Sequence, residues 1–188
     1  MTEYTRPYLL VDVDGVLNAI TTSAERGRLI YKEGWVHKWA ELPIGRFRLL
    51  CNPACGPLLT RLAADTGAEL AWGTTWEDDA NTWVGPLVGL PVLPVAPVSG
   101  YRSKADGVVP WTNGRPFVWF DDQLSVALRT AELAADRPHL VVETDPSVGL
   151  TAEHIGIARE WLLALGSRPV SAEIPDVALA AEGEASRG

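Results

Sequence analysis

Two carboxylates spaced two apart, Asp12 and Asp14, follow the apolar run Tyr8-Leu9-Leu10-Val11 and precede Gly15. In an extended chain, residues i and i+2 point to one side, about 7 Å apart along the strand, and a turn at Gly15 can bring them closer. At about 5 Å, with an effective dielectric near 20, two such charges repel by roughly 3 kcal/mol. A cation is therefore expected between them. Asp and Gly are also common turn formers, so taken alone the same residues could simply end a strand. A calcium loop of the EF-hand kind is excluded. It needs further oxygen ligands at alternate positions and a closing Glu, whereas apolar Val16 and Leu17 follow here.

The elements that must position these acids read as a parallel α/β sheet, because apolar strand-like runs alternate with helix-like segments. The strands are expected at Tyr8 to Val13, Ala68 to Gly73, Pro116 to Phe120 and His139 to Glu143. Few polar residues interrupt them, as suits strands covered on both faces. Leu58, Leu59, Leu62 and Ala63 form a helical stripe before the second strand, and Ala80, Trp83, Val84 and Leu87 form another after it. A last helix begins at the N-cap Thr151, repeats Ile155, Ala158, Trp161, Leu162 and Leu165, and ends at Gly166. The prolines 86, 91, 94 and 97 favour a short edge strand or extended loop over residues 85–98 rather than a helix. Residues 18–50 look like a small β excursion inserted after the first strand. The Ala-, Glu-, Ser- and Gly-rich residues 171–188 read as a flexible tail.

Composition bounds the function without naming it. The 188 residues are 47% apolar and 21% charged, which suits one soluble domain over residues 1–170 with a full core. No run approaches the roughly 20 apolar residues of a membrane span, and the N-terminus lacks a signal-peptide layout; a cytoplasmic location and no membrane partner are expected. Cys51 and Cys55 have no second pair or His beside them to complete a zinc site. A net charge of −8 argues against coating nucleic acid by charge alone. Yet Arg26, Arg28, Lys32, Lys38, Arg46 and Arg48 face only Glu33 and Glu41 between residues 26 and 48. That local excess reads either as a solvated hairpin face or as a surface that draws in phosphate.

In an open parallel sheet, ligands bind beyond the carboxyl ends of the strands. There the first strand ends in Asp12 and Asp14, the second in Thr74 and Thr75, and Phe117-Val118-Trp119-Phe120 in Asp121 and Asp122, with Lys104 ahead of that run. Each has a plain reading as a helix cap or surface charge. It is their order at consecutive strand ends that carries weight.

That order resembles the four motifs of the haloacid dehalogenase-like (HAD) hydrolases: Asp12-Val13-Asp14-Gly15-Val16, Thr74, Lys104 and Asp121-Asp122. The resemblance spans roughly residues 8 to 145. Thr75 competes with Thr74, and Arg102 with Lys104, for the two short motifs. A fainter similarity of layout is to cap-poor members associated with RNA repair proteins.

The resemblance implies a Rossmann-like sheet of order 5-4-1-2-3 flanked by helices, with residues 18–50 as a small insert in place of a large cap. It implies Mg²⁺-dependent hydrolysis of a phosphomonoester through an aspartyl-phosphate. Asp12 is then the nucleophile, Asp14 the acid and base, Thr74 a donor to the phosphoryl group and Lys104 the charge that offsets it. Asp12, Asp14 through its main-chain carbonyl, Asp121 and Asp122 are the expected Mg²⁺ ligands. Thr75, as the competitor of Thr74, and Arg28 and Arg46, from the basic stretch rather than from the resemblance, are expected at the substrate. The substrate expected is a phosphorylated small molecule or macromolecule end, nucleic acid entering only as substrate. A phosphotransferase or mutase on the same fold, or a non-catalytic binding module, are the other readings. A dehalogenase is disfavoured, since that branch lacks the acid at Asp14.

Overall fold

The computed structural model describes residues 6–20 and 34–166. Four parallel strands form the central sheet: β1 (Tyr8–Val11), β4 (Glu69–Trp72), β5 (Phe117–Asp121) and β6 (His139–Glu143). Their order is β4-β1-β5-β6, so β1 is flanked on both sides. Val11 stands in register with Trp72 on one side and Phe120 on the other. Where a five-stranded order would add a strand beyond β4, the chain makes a single parallel bridge, Trp72 to Val95. Prolines 91, 94 and 97 remove backbone donors from that edge, which restricts it to a few bonds such as Trp72 N to Pro94 O.

Alternate strand residues enter opposite faces, and both faces are covered. Leu9, Val11, Leu70, Trp72, Val118 and Phe120 join one core with α1 (Cys55–Thr66) and α5 (Ala152–Gly166). Leu10, Ala71, Phe117 and Trp119 join a second with α3 (Lys104–Trp111) and α4 (Leu124–Leu133). This is why the strands read as near-continuous apolar runs rather than as alternating ones. Cys51 and Cys55 are buried free thiols in the first core. Burial pushes Cys51 up to about 12 and Cys55 up to about 11.

The insert after β1 contains an antiparallel hairpin, β2 (Val36–Leu42) and β3 (Gly45–Cys51), in which Ala40 and Leu49 point into the core. Arg26, Arg28 and Lys32, and the tail from residue 171, lie outside the described residues. Among the described residues no helix is long and apolar enough to cross a membrane.

One local expectation needs correction, and one helix was not foreseen. Residues 85–98 do contain a helical turn, α2 (Gly85–Val88), continuing a π-helical turn over Ala80–Val84. Pro86 sits in its first turn, where a missing N–H costs nothing, and Gly89 closes it with φ 75°. Helix α3 gave no apolar stripe because Gly107 and Pro110 interrupt it. Its start is fixed by a capping box, with the Ser103 side chain on the first turn and Asp106 returning to the Ser103 N–H.

Helix α1 meets α2 at Gly56, where an added Cβ would lie 1.8 Å from the Val88 carbonyl oxygen. Backbone on both sides leaves no flexible side chain to give way. Gly56→Ala should therefore cost at least about 2 kcal/mol of stability through overpacking, read from urea denaturation. A loss below about 0.5 kcal/mol would contradict this packing.

Candidate active site

Beyond Val11 the chain turns sharply. The Val13 carbonyl accepts from the N–H groups of Val16, Leu17 and Asn18, and Gly15 N–H donates to Asn18 O. Gly15 has φ 76°, a region L side chains rarely adopt, and a Cβ there would lie 2.4 Å from the Asp122 carboxyl carbon. The glycine is thus required twice, for the turn and for the approach of Asp122. Thr144 Oγ1 ties the turn to the end of β6 by donating to Gly15 O at 2.8 Å.

Since β1 and β5 are adjacent and parallel, Asp12 and the Asp121-Asp122 pair emerge side by side. Their carboxylates, with Asp12 and Asp121 fully buried and Asp122 partly so, offer oxygens within 4.8 Å of one another. Helix α3 brings Lys104 over them. Nζ lies 2.5 Å from Asp12 Oδ2, to which it donates, and 2.6 Å from Asp121 Oδ2. Gly107, one turn on, makes this placement possible: a Cβ there would lie 2.0 Å from the Pro97 carbonyl. Asp12 also accepts from Val13 N–H at 2.8 Å and from the buried Thr74 hydroxyl.

The charges do not cancel. At these distances and a dielectric near 20, each Lys–Asp contact is worth about 6 kcal/mol and each carboxylate pair costs about 3.5 kcal/mol. Three acids and one ammonium leave an excess of negative charge. Burial raises the carboxyl of Asp12, with Lys104 opposing. Burial and the Asp12 charge push Asp121 up to about 7, and raise Asp122 as well. Lys104 is disfavoured by burial, but Asp12 and Asp121 outweigh that and hold its ammonium charged. Asp122 Oδ1 is buried and has no hydrogen-bond partner among the described residues, and Asp121 Oδ2 meets only the Lys104 ammonium. Buried oxygens rarely remain unpartnered, and an all-carboxylate set fits a hard divalent cation such as Mg²⁺.

Asp14 is placed differently. Its Oδ1 accepts from Asn18 Nδ2 at 2.7 Å and its Oδ2 from Trp76 Nε1 at 2.8 Å, so its carboxylate is outside the three-acid cluster. Asn18 in turn accepts from Leu50 N–H on the hairpin, and Phe47 meets the Trp76 ring edge-on at 5.9 Å.

Residues 8–155 match the family described as the HAD domain in Swiss Army Knife RNA repair proteins. The chain belongs to this family. Membership points to a hydrolase or phosphatase-like activity or a role in RNA repair. Among curated proteins none matches the chain.

In this HAD domain the structure brings together Asp12, Thr74, Lys104, Asp121 and Asp122, with Asp14 alongside. Thr75 is exposed and lines the clefts above the site, whereas Thr74 is wholly buried against Asp12. Arg46 pairs with Glu41 at 2.9 Å and stacks over Trp39 on the hairpin. Arg28 lies outside the described residues. Asn18 and Trp76, which hold Asp14, were not singled out for this by the sequence. The one signal was a tryptophan following the two threonines at a strand end.

The raised carboxyls set a pH dependence. In metal-free protein the folded state binds more protons than the unfolded one between about pH 4 and 7, so stability should fall as pH rises through that window. In EDTA, Tm should drop between pH 5 and 7.5 by about 2–4 °C per kcal/mol lost. Saturating Mg²⁺ or Asp121→Asn should flatten the drop. A Tm that rises with pH in EDTA, or that Mg²⁺ leaves unaltered, would contradict the cluster.

Proposed function

We propose that this HAD domain is a Mg²⁺-dependent phosphomonoester hydrolase working through an aspartyl-phosphate on Asp12. The observation that carries the reading is the Lys104 ammonium at 2.5 and 2.6 Å from Asp12 and Asp121, beside the unpartnered buried Oδ1 of Asp122. Lys104 opposes the burial that raises Asp12 and so favours the ionised carboxylate that a nucleophile needs. Asp12, Asp121 and Asp122, with the Asp14 main-chain carbonyl, would hold Mg²⁺. The ion supplies charge neutralisation that lets a phosphate dianion approach three acids.

The residues then divide the work. An Asp12 carboxylate oxygen attacks phosphorus, the bond from phosphorus to the leaving oxygen breaks, and Asp14 donates its proton to that oxygen. Water next attacks the phosphorus of the aspartyl-phosphate, gives a proton back to Asp14, and releases inorganic phosphate and free Asp12. Thr74 and Lys104 stabilise charge on the transferring group. Trp76 and Asn18 fix the direction of Asp14, which matters because proton transfer requires hydrogen-bond reach. An insert as short as residues 18–50 in place of a large cap suits bulky substrates. The family's place in RNA repair proteins supports a phosphorylated nucleic-acid end as the substrate, a phosphorylated small molecule being the simpler case.

Hydrolysis of an aryl phosphate by purified protein, with Mg²⁺ or EDTA, tests the reading. Activity should require Mg²⁺ and fall by roughly a thousandfold or more in Asp12→Asn, as expected for loss of a nucleophile. Activity that survives either EDTA or the substitution would overturn it.

A further inference from the structure

Two clefts flank Thr75 above the site, and they differ in charge. The smaller, about 340 Å³, lies beside the hairpin tip and is lined by Pro43, Ile44 and Trp76 with Glu77, Asp78 and Asp79. Among the described residues three acids and no base line it, which disfavours a polyanion there. The larger, about 590 Å³, reaches Lys104 and is lined by Tyr101, Arg102, Gln123, Ser125 and Arg129.

Most charge in the larger cleft is already engaged. Lys104 sits on Asp12 and Asp121, and Arg129 pairs with Asp106 at 2.7 Å and Glu132 at 2.8 Å. Arg102 is exposed on the cleft wall and makes no ion pair among the described residues. Ser103 between them is extended, with φ −136° and ψ 149°, so Arg102 and Lys104 lie about 7 Å apart along the chain. An arginine on a flexible stem, with a fork that fits phosphate oxygens in pairs, thus stands one step from the lysine of the phosphoryl site. Acid on one side and unpaired base on the other give an anionic substrate a direction.

Resting on the phosphatase reading, we infer that Arg102 selects substrates carrying a second phosphate beside the one removed, held in the cleft with Gln123 and Ser125. The shared chemistry is that of a nucleoside bisphosphate or of the phosphorylated end of a phosphodiester chain. Arg102 acts on specificity and takes no part in bond breaking.

The test measures binding without turnover. Adenosine 5′-monophosphate, adenosine 3′,5′-bisphosphate and a 3′-phosphorylated dinucleotide are titrated calorimetrically, with Mg²⁺, into the full chain bearing Asp12→Asn. The same titrations are repeated with Arg102→Gln or Arg102→Lys added. At least one of the doubly charged probes should bind about tenfold or more tighter than the monophosphate, as one charge-assisted bidentate contact allows. Arg102→Gln should cut the preference below about threefold, and Arg102→Lys should restore part of it. A preference for the bisphosphate points to a small molecule and one for the dinucleotide to a chain end. No preference, or one that survives Arg102→Gln in protein of parental Tm, overturns the inference. Failure of the aryl phosphate assay would instead overturn the phosphatase reading, and these affinities would still report on Arg102.

Discussion

The site depends on one buried cation shared by two buried anions. Without the Lys104 ammonium between Asp12 and Asp121, three carboxylates within 4.8 Å would, in the metal-free protein, gather only by taking up protons. A protonated Asp12 could not act as a nucleophile. Asp12 and Lys104 are 92 residues apart in sequence, so the contact exists only if the whole sheet is assembled. Adjacent parallel pairing of β1 with β5 sets the acids side by side, and the packing of α3 at Gly107 against Pro97 brings the lysine over them. The core therefore serves the chemistry directly, since a shift of α3 by a fraction of an ångström is a shift of Lys104.

A second set of contacts controls Asp14. Asn18 and Trp76 each hold one of its oxygens, and both connect to the hairpin, through Leu50 N–H and the Phe47 ring. The hairpin thus does more than cover the end of the sheet. It is mechanically linked to the group proposed to move the proton. Glu77 adds a brace, with φ 45° and with Oε1 accepting from Val98 and Ser99 N–H. Those bonds hold its carboxyl below the usual range. They join the loop after β4 to the segment that leads to Arg102 and Lys104.

What the sequence made legible was whatever local chemistry dictates. Strands buried on both faces are apolar throughout, so β1, β4, β5 and β6 stand out. Acids at the ends of β1 and β5 stand out for the same reason, because nothing in a core explains them. Helix α3 was hidden, since Gly107 and Pro110 are poor helix formers kept for close packing and for its end. The helical stripe through Leu87 reached the short α2, but Pro86, which signals a break everywhere except in a first turn, spoke against a helix there. The choice between Thr74 and Thr75 needed the side-chain direction at the strand end, as did the separation of Lys104 from Arg102. Arg46 looked like a phosphate contact by charge alone, but a hairpin pairs it locally with Glu41 and Trp39. Trp76 and Asn18 act through distant partners, and no spacing rule reveals such links.

The claim on which the mechanism stands is a covalent phosphate on Asp12. It can be read directly by mixing the protein with Mg²⁺ and aryl phosphate, quenching in acid within the first turnover, and reducing with borohydride, which converts an acyl phosphate to an alcohol. Peptide mass spectrometry should then find homoserine at position 12 and aspartate at positions 14, 121 and 122. Homoserine at another of these positions, or rapid turnover with none at position 12, would contradict the assignment of Asp12 as the nucleophile.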